Sequence, residues 1–223
     1  MAAPSPTKLR RTSGPLRNPA RPDEILAAAC QAILERGFAD TRVGDIAQAA
    51  GTSTGTIHYY FDSKSEVLVA ALRWASDRLF ARLETASEPN ATARLARLLE
   101  LSIPYPDPKA RRDEYVLWIE MWTLVLRAPE RMPALEDLSI RWRSFFFDVV
   151  RDGAASGEFE PVAPVDVVAE RLIALVDGLG FETAVGYAWS AAERMRSLLV
   201  SFASEQLGLD PDELDALMKL ELG

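Results

Sequence analysis

Residues Val43–Phe61 read VGDIAQAAGTSTGTIHYYF, and the reading of this stretch decides the fold. Apolar positions recur at helical spacing on both sides of Gly51-Thr52-Ser53, which predicts two short helices, Val43–Ala50 and Thr54–Tyr60, joined by a tight turn. A helix pair that crosses steeply through so short a turn needs a small residue where the backbones meet, and Ala47 supplies it. It also needs a residue tolerant of left-handed dihedrals to open the turn, and Gly51 supplies that. Ile46, Ala50 and Ile57 then have the spacing of inward anchors. The same geometry occurs in helical proteins that never touch nucleic acid, so the functional reading rests on the side chains left outside.

With those anchors inside, the outer face of the second helix and its approach is Thr52, Ser53, Thr54, Thr56, His58, Tyr59 and Tyr60. Short hydroxyls, an imidazole and phenols can donate to phosphate oxygens and touch base edges or thymine methyl groups in a major groove. Lys64, just beyond, is placed to reach an adjacent phosphate, and the helix's own first amides favour an anion. A plain core role for Tyr59 and Phe61 stays open on these grounds alone.

Outward from this stretch the pattern stays helical. A first helix starts near Pro22, with Asp23 and Glu24 favourable to the helix dipole, and buries Ile25, Ala28, Ala29, Ala32 and Ile33. Gly37 ends it and Phe38 folds back as an anchor. Thr41 is the expected cap of the helix at Val43, and Ser63 that of a long helix from about Lys64 to Ala86. Taken together, Gly37, Phe38, Thr41, Val43, Ile46, Ala47, Ala50, Gly51, Ser53, Gly55, Thr56, Ile57, Tyr60, Phe61, Lys64 and Leu68 fall without a gap on the N-terminal signature of the TetR regulators, which the chain therefore resembles. The resemblance implies a recognition helix in the major groove, with Thr54, Thr56, Tyr59, Tyr60 and Lys64 holding phosphates or base edges. Three departures bear on operator sequence: Arg42 replaces a threonine and adds a charge near the backbone contact, Thr52 replaces a valine, and His58 replaces a tyrosine.

The charge distribution fits a protein that approaches a polyanion in one orientation. The chain of 223 residues carries a net −8, yet residues 1–21 hold five basic residues and no acid. Residues 22–66 hold three basic residues against seven acids, so the remainder bears −9. Four prolines among residues 1–20 predict a disordered basic arm, read either as a minor-groove contact or as a solvated tail. A single cysteine, Cys30, excludes an internal disulfide and a thiolate zinc site, and reads as a small core residue. The only histidine, His58, lies on the recognition face, so neither a metal site nor a nucleophile–histidine pair can be assembled, and no Gly-rich phosphate loop is present. An enzyme is thereby excluded, no cofactor is expected, and the lack of a long apolar run or of a secretory leader points to the cytoplasm, away from membranes.

The expected domains are a basic arm (1–20), a helix-turn-helix domain (21–66) and a larger helical domain (67–223) for effector binding and dimerisation. Further helices are expected near 90–103, 109–127, 133–156, 164–187, 190–207 and 211–221, so the fold class is all-α. YVLWIEMWTLVL (115–126) and WRSFFFDV (142–149) are unusually aromatic. Most such residues are core. A pocket for a small molecule is nevertheless expected among them, with Trp118, Trp122, Phe145, Phe146 and Glu120 as candidates, and aromatic faces near acids suit a cationic ligand. WIEMWT, RAPE and RLIALVDGL also look like the C-terminal domain of the BetI-like branch. Apolar stripes at Val165, Val168, Leu172, Leu175 and Leu179, then at Met195, Leu198, Leu199 and Phe202, suit an antiparallel pair, and the resemblance implies that this pair meets its symmetry mate in a homodimer. Gly178 and Gly180 permit close packing or a bend there, or mark the helix end. The partners implied are double-stranded DNA, a small-molecule effector and a second copy of the chain. The alternative is a DNA-binding protein of the same fold without an effector.

Overall fold

The computed structural model describes residues 22–84, 88–105 and 109–220, and among these every regular element is helical. The basic arm lies outside the described residues. The helices are α1 (Pro22–Asp40), α2 (Val43–Ala49), α3 (Thr54–Tyr60), α4 (Lys64–Glu84), α5 (Ala91–Leu101), α6 (Lys109–Arg127), α7 (Met132–Ser156), α8 (Val165–Val185), α9 (Ala192–Leu207) and α10 (Pro211–Leu220), with a 3-10 turn at Pro129–Arg131. No described helix is long and apolar enough to cross a membrane.

Local chemistry fixes most boundaries. The hydroxyl of Ser53 accepts from the Thr56 amide at 3.1 Å and starts α3, and that of Ser63 accepts from the Glu66 amide at 3.1 Å and starts α4. Asn90 caps α5 by accepting from the Ala93 amide at 2.8 Å. The start of α2 departs from expectation. Its cap residue is Arg42, whose amide donates to the Asp45 carboxylate at 2.9 Å. Thr41 is instead fully buried, and its hydroxyl donates to the carbonyls of Gly37 (2.7 Å) and Ala32 (3.1 Å). The cause lies in Gly37, whose φ of 76° and ψ of 161° break the helical path inside α1. That region is essentially glycine-only, and the break leaves the carbonyls that Thr41 then satisfies.

Two apolar cores result. The first joins Ile25, Ile33, Ile46, Ile57, Leu68 and Phe80 of α1–α4 to Leu117, Met121 and Leu124 of α6 and to Leu135 and Leu138 of α7. The second is built by α5, the end of α7 and α8–α10 around Leu95, Leu99, Phe146, Val176, Leu199 and Met218. The α1–α4 bundle therefore shares its core with α6. Cys30 sits in the first core, where burial pushes its thiol up to about 12 and keeps it inert.

α8 runs unbroken to Val185, so Gly178 and Gly180 do not end it. A Cβ on Gly180 would fall about 2.1 Å from the Tyr115 hydroxyl, which shows that the ring needs this space, while nothing lies within 4 Å of Gly178.

Candidate DNA-binding surface and effector cavity

α2 and α3 are held by Ile46, Ala47 and Ile57, all buried, and by the Thr52 amide donating to the Ala47 carbonyl at 2.9 Å. The turn is opened by Gly51 at φ 62°. This packing leaves Ser53, Thr54, His58, Tyr59 and Tyr60 exposed and Thr52 and Thr56 half-exposed. Tyr59 is 82% exposed, an unusual state for so large an apolar ring, and stacks edge-on with Tyr60 at 5.0 Å. Phe61 turns inward against the first core. Ser53 and Thr56 share a hydroxyl contact at 3.0 Å, so the start of α3 is pre-organised. Arg42 is exposed at the start of α2. Lys64 is half-buried, and its ammonium donates to the Ala39 carbonyl at 2.7 Å, which ties it to the end of α1.

The five candidates for the pocket separate. Trp118 and Trp122 line a cavity of about 40 Å³, together with Leu79 of α4, the Leu101–Pro104 segment, Arg111, Glu114 and Tyr115 of α6, Trp142 of α7 and Asp177 of α8. Phe146 does not reach it; fully buried, it packs edge-on behind Trp142 at 5.2 Å. Phe145 lies against Phe80 at 5.6 Å and faces a separate, polar groove beside Glu84, Arg94 and Arg141. Glu120 faces the other way altogether. It stands two residues from Trp118 and from Trp122, about 200° around the helix from each, and its carboxylate accepts from the Phe38 amide at 2.9 Å.

Tyr115, Trp142 and Asp177 complete the wall, and sequence reasoning had not assigned them to it. The available signals were the two aromatic runs, which hold Tyr115 and Trp142, and the run DGL, whose aspartate is Asp177. Charges on the wall are managed unequally. Arg111 pairs with Glu100 at 3.2 Å, and Glu114 receives Arg82 at 2.6 Å. Asp177 accepts instead from the Trp142 indole, with Arg143 acting only at a distance, and burial raises its carboxyl to about 6. Tyr115 donates to the carbonyls of Val176 and Asp177 at 3.1 and 3.2 Å, and burial keeps the phenol un-ionised. The result is a narrow slot walled by three indoles and a phenol, with two acids on its wall, Glu114 paired with Arg82 and Asp177 held by the Trp142 indole.

The apolar stripes of α8 and α9 pack the two helices together, and a second apolar line faces outward. Val168, Leu172, Met195 and Leu199 face the protein's own core. The exposed apolar line is Val167, Ala174, Gly178, Phe181 and Val185, flanked by Leu198, Tyr187 and Trp189. Its members recur at three, four and seven residues, the spacing of a helix–helix seam.

Comparison with known proteins agrees with this architecture. Residues 25–71 match the family described as bacterial regulatory proteins, tetR family, and residues 91–208 match the BetI-type transcriptional repressor, C-terminal. The HTH-type transcriptional regulator BetI of Cronobacter sakazakii is 28% identical over 203 residues, covering 87% of this chain and 95% of that protein. The HTH-type transcriptional repressor KstR2 of Mycobacterium tuberculosis is 31% identical over 148 residues, 66% of this chain and 74% of that one. Among solved structures, a putative transcriptional regulator from Saccharomonospora viridis in complex with choline is 35% identical, with a TM-score of 0.71 over 83% of this chain and 96% of its own. The exposed hydroxyl-rich α3, the helical body behind it and these matches have one reading: the chain belongs to the TetR family of transcriptional regulators and is a helix-turn-helix repressor with a BetI-type C-terminal domain.

Proposed function

We propose that the protein acts in the cytoplasm as a homodimer on a palindromic operator, and that a quaternary ammonium effector releases it. The observation that carries the effector reading is the wall of Trp118, Trp122, Trp142 and Tyr115 around the Asp177 carboxylate. A cation over an indole face is attracted to the ring quadrupole by up to roughly 2 kcal/mol when desolvated. Several faces and one carboxylate select a charged, weakly hydrated head over a neutral one. The choline complex of the Saccharomonospora viridis relative supports the same class.

The dimer reading rests on the outer line of α8. Ala174 and Gly178 are small enough for a partner helix to approach closely, and Phe181 and Val185 supply apolar area. A dimer places two copies of α3 on successive major grooves, roughly 34 Å apart. The operator grip belongs to Thr52, Ser53, Thr54, Thr56, His58, Tyr59 and Tyr60 on and beside α3, with Arg42 and Lys64 on flanking phosphates.

The cavity has room for only two or three waters. A guest of choline's size must therefore part its walls, which include Leu79 of α4 and Trp118 and Trp122 of α6. Both helices share a core with the DNA-binding bundle, so the displacement alters the pose of α3 and mismatches the operator.

The test is titration of the full chain with choline chloride, followed by tryptophan fluorescence, beside tetramethylammonium and the neutral isostere 3,3-dimethylbutanol. Saturable binding of both cations, at least roughly tenfold tighter than the isostere, is expected. Equal affinity for the neutral compound would contradict a cation cage.

A further inference from the structure

The segment that follows the break in α1 and leads on to α2, residues 37–41, is held from three directions. Thr41 ties it to α1 through the carbonyls of Gly37 and Ala32. Lys64, at the start of α4, holds the Ala39 carbonyl at 2.7 Å. Glu120, on α6, holds the Phe38 amide at 2.9 Å, and its other carboxylate oxygen lies 3.5 Å from where a Gly37 Cβ would stand. Glu120 thus reaches a glycine that offers it no side chain, at the point where α1 breaks.

Its position on α6 is the telling feature. Trp118 and Trp122 lie on the cavity side of the helix, and Glu120, between them in sequence, lies on the side that faces the DNA-binding bundle. A helix moves as a rigid element over so short a span. Whatever displaces the two indoles displaces the carboxylate with them.

We propose that Glu120 is a positioning residue, the latch through which α6 fixes the 37–41 link and so the pose of α2 and α3. With the latch made, the recognition helix sits as the operator requires. Parting of the cavity walls shifts α6, strains the bond to the Phe38 amide and loosens the link. The response to effector rests on the cation-cage reading above; the positioning role does not need it.

Two variants separate the latch from a merely structural contact. Glu120→Ala removes the acceptor, whereas Glu120→Gln keeps an oxygen that accepts from the same amide. Operator duplex is first selected from a random pool with the unaltered protein. Its affinity is then measured for all three proteins at a temperature where each is folded and dimeric, with and without choline. Glu120→Ala is expected to bind operator about tenfold more weakly without effector and to show little further loss with it, while Glu120→Gln stays near the unaltered protein in both. Equal operator affinity of the folded Ala variant and the unaltered protein overturns the latch, whatever choline does. Failure of choline to bind the unaltered protein sinks the cage reading alone, because the effector-free comparison still decides the latch.

Discussion

Asp177 is an acid set among indoles, and that placement dictates a pH dependence. Its carboxyl titrates at about 6, well above the usual carboxylate range, because burial disfavours the anion more than the Trp142 indole and the distant Arg143 favour it. The folded protein therefore holds a proton between about pH 4 and 6 that the unfolded chain has released, so this group's contribution to stability falls as pH rises through that window and is flat above it. Asp177→Asn removes the penalty and is expected to raise stability at pH 7.5 by roughly 1–3 kcal/mol, read by denaturant unfolding, while leaving it unchanged near pH 4. The proposed cation binding would run the opposite way. It requires the ionised form, so affinity for choline should weaken about tenfold per unit below pH 6 and become flat in the Asn variant. Among the neighbours, Arg111 and Glu114 are already paired, and burial keeps Tyr115 neutral. A pH-independent affinity between 5 and 7 in the unaltered protein would remove Asp177 from the cage.

At the scale of elements, legibility followed the distance between partners along the chain. The α2–turn–α3 unit was readable because Ile46, Ala47, Gly51 and Ile57 are close in sequence and their geometry is locally determined. The cavity wall was only half readable: Trp118 and Trp122 declare themselves by spacing, but Trp142 and Asp177 arrive from α7 and α8 through packing that no local pattern records. Glu120 was misplaced for a simpler reason, since an acid between two tryptophans lies on the opposite face of the helix. Thr41 was misread because its hydroxyl answers a helix break upstream, not the helix start downstream. The α8 and α9 stripes were readable as an antiparallel pair packed on each other, but the outward line of α8 was not singled out, because core residues and exposed residues both repeat at helical spacing. The exposed set makes its own prediction. Phe181→Glu should shift the protein from dimer to monomer in light scattering and weaken operator binding, without loss of helical content. A dimer that survives this charge would place the interface elsewhere.

A second element-level contact joins four helices at one buried acid. Glu100 of α5 is fully buried and receives Arg111 of α6 at 3.2 Å and Arg196 of α9 at 3.1 Å; Arg196 also holds Asp215 of α10 at 2.8 Å. Burial pushes the Glu100 carboxyl up while the two guanidinium groups pull it back. Removing the acid leaves the largely buried Arg111 without its carboxylate and Arg196 with Asp215 as its one remaining acid. Glu100→Ala is therefore expected to destabilise the protein by about 3–5 kcal/mol, measured by urea unfolding at fixed protomer concentration. A loss below about 1 kcal/mol would show that the arginines find other partners.

For the whole molecule, an acidic body presents a hydroxyl-rich reading helix, and one continuous core runs from that helix to the cavity through α4 and α6. The cavity and the reading helix are parts of one packed unit, so an effector acting as proposed and the operator must oppose each other by the same factor in either order of addition. The central claim is that α3 of two protomers grips a duplex on neighbouring grooves. Selection of bound duplex from a random pool at fixed salt tests it most directly. Enrichment of a palindrome is expected, with half-sites about one helical turn or a multiple of it apart, bound with an affinity that falls steeply as salt rises. A pool that emerges without any enriched sequence, or binding that ignores salt, would contradict it.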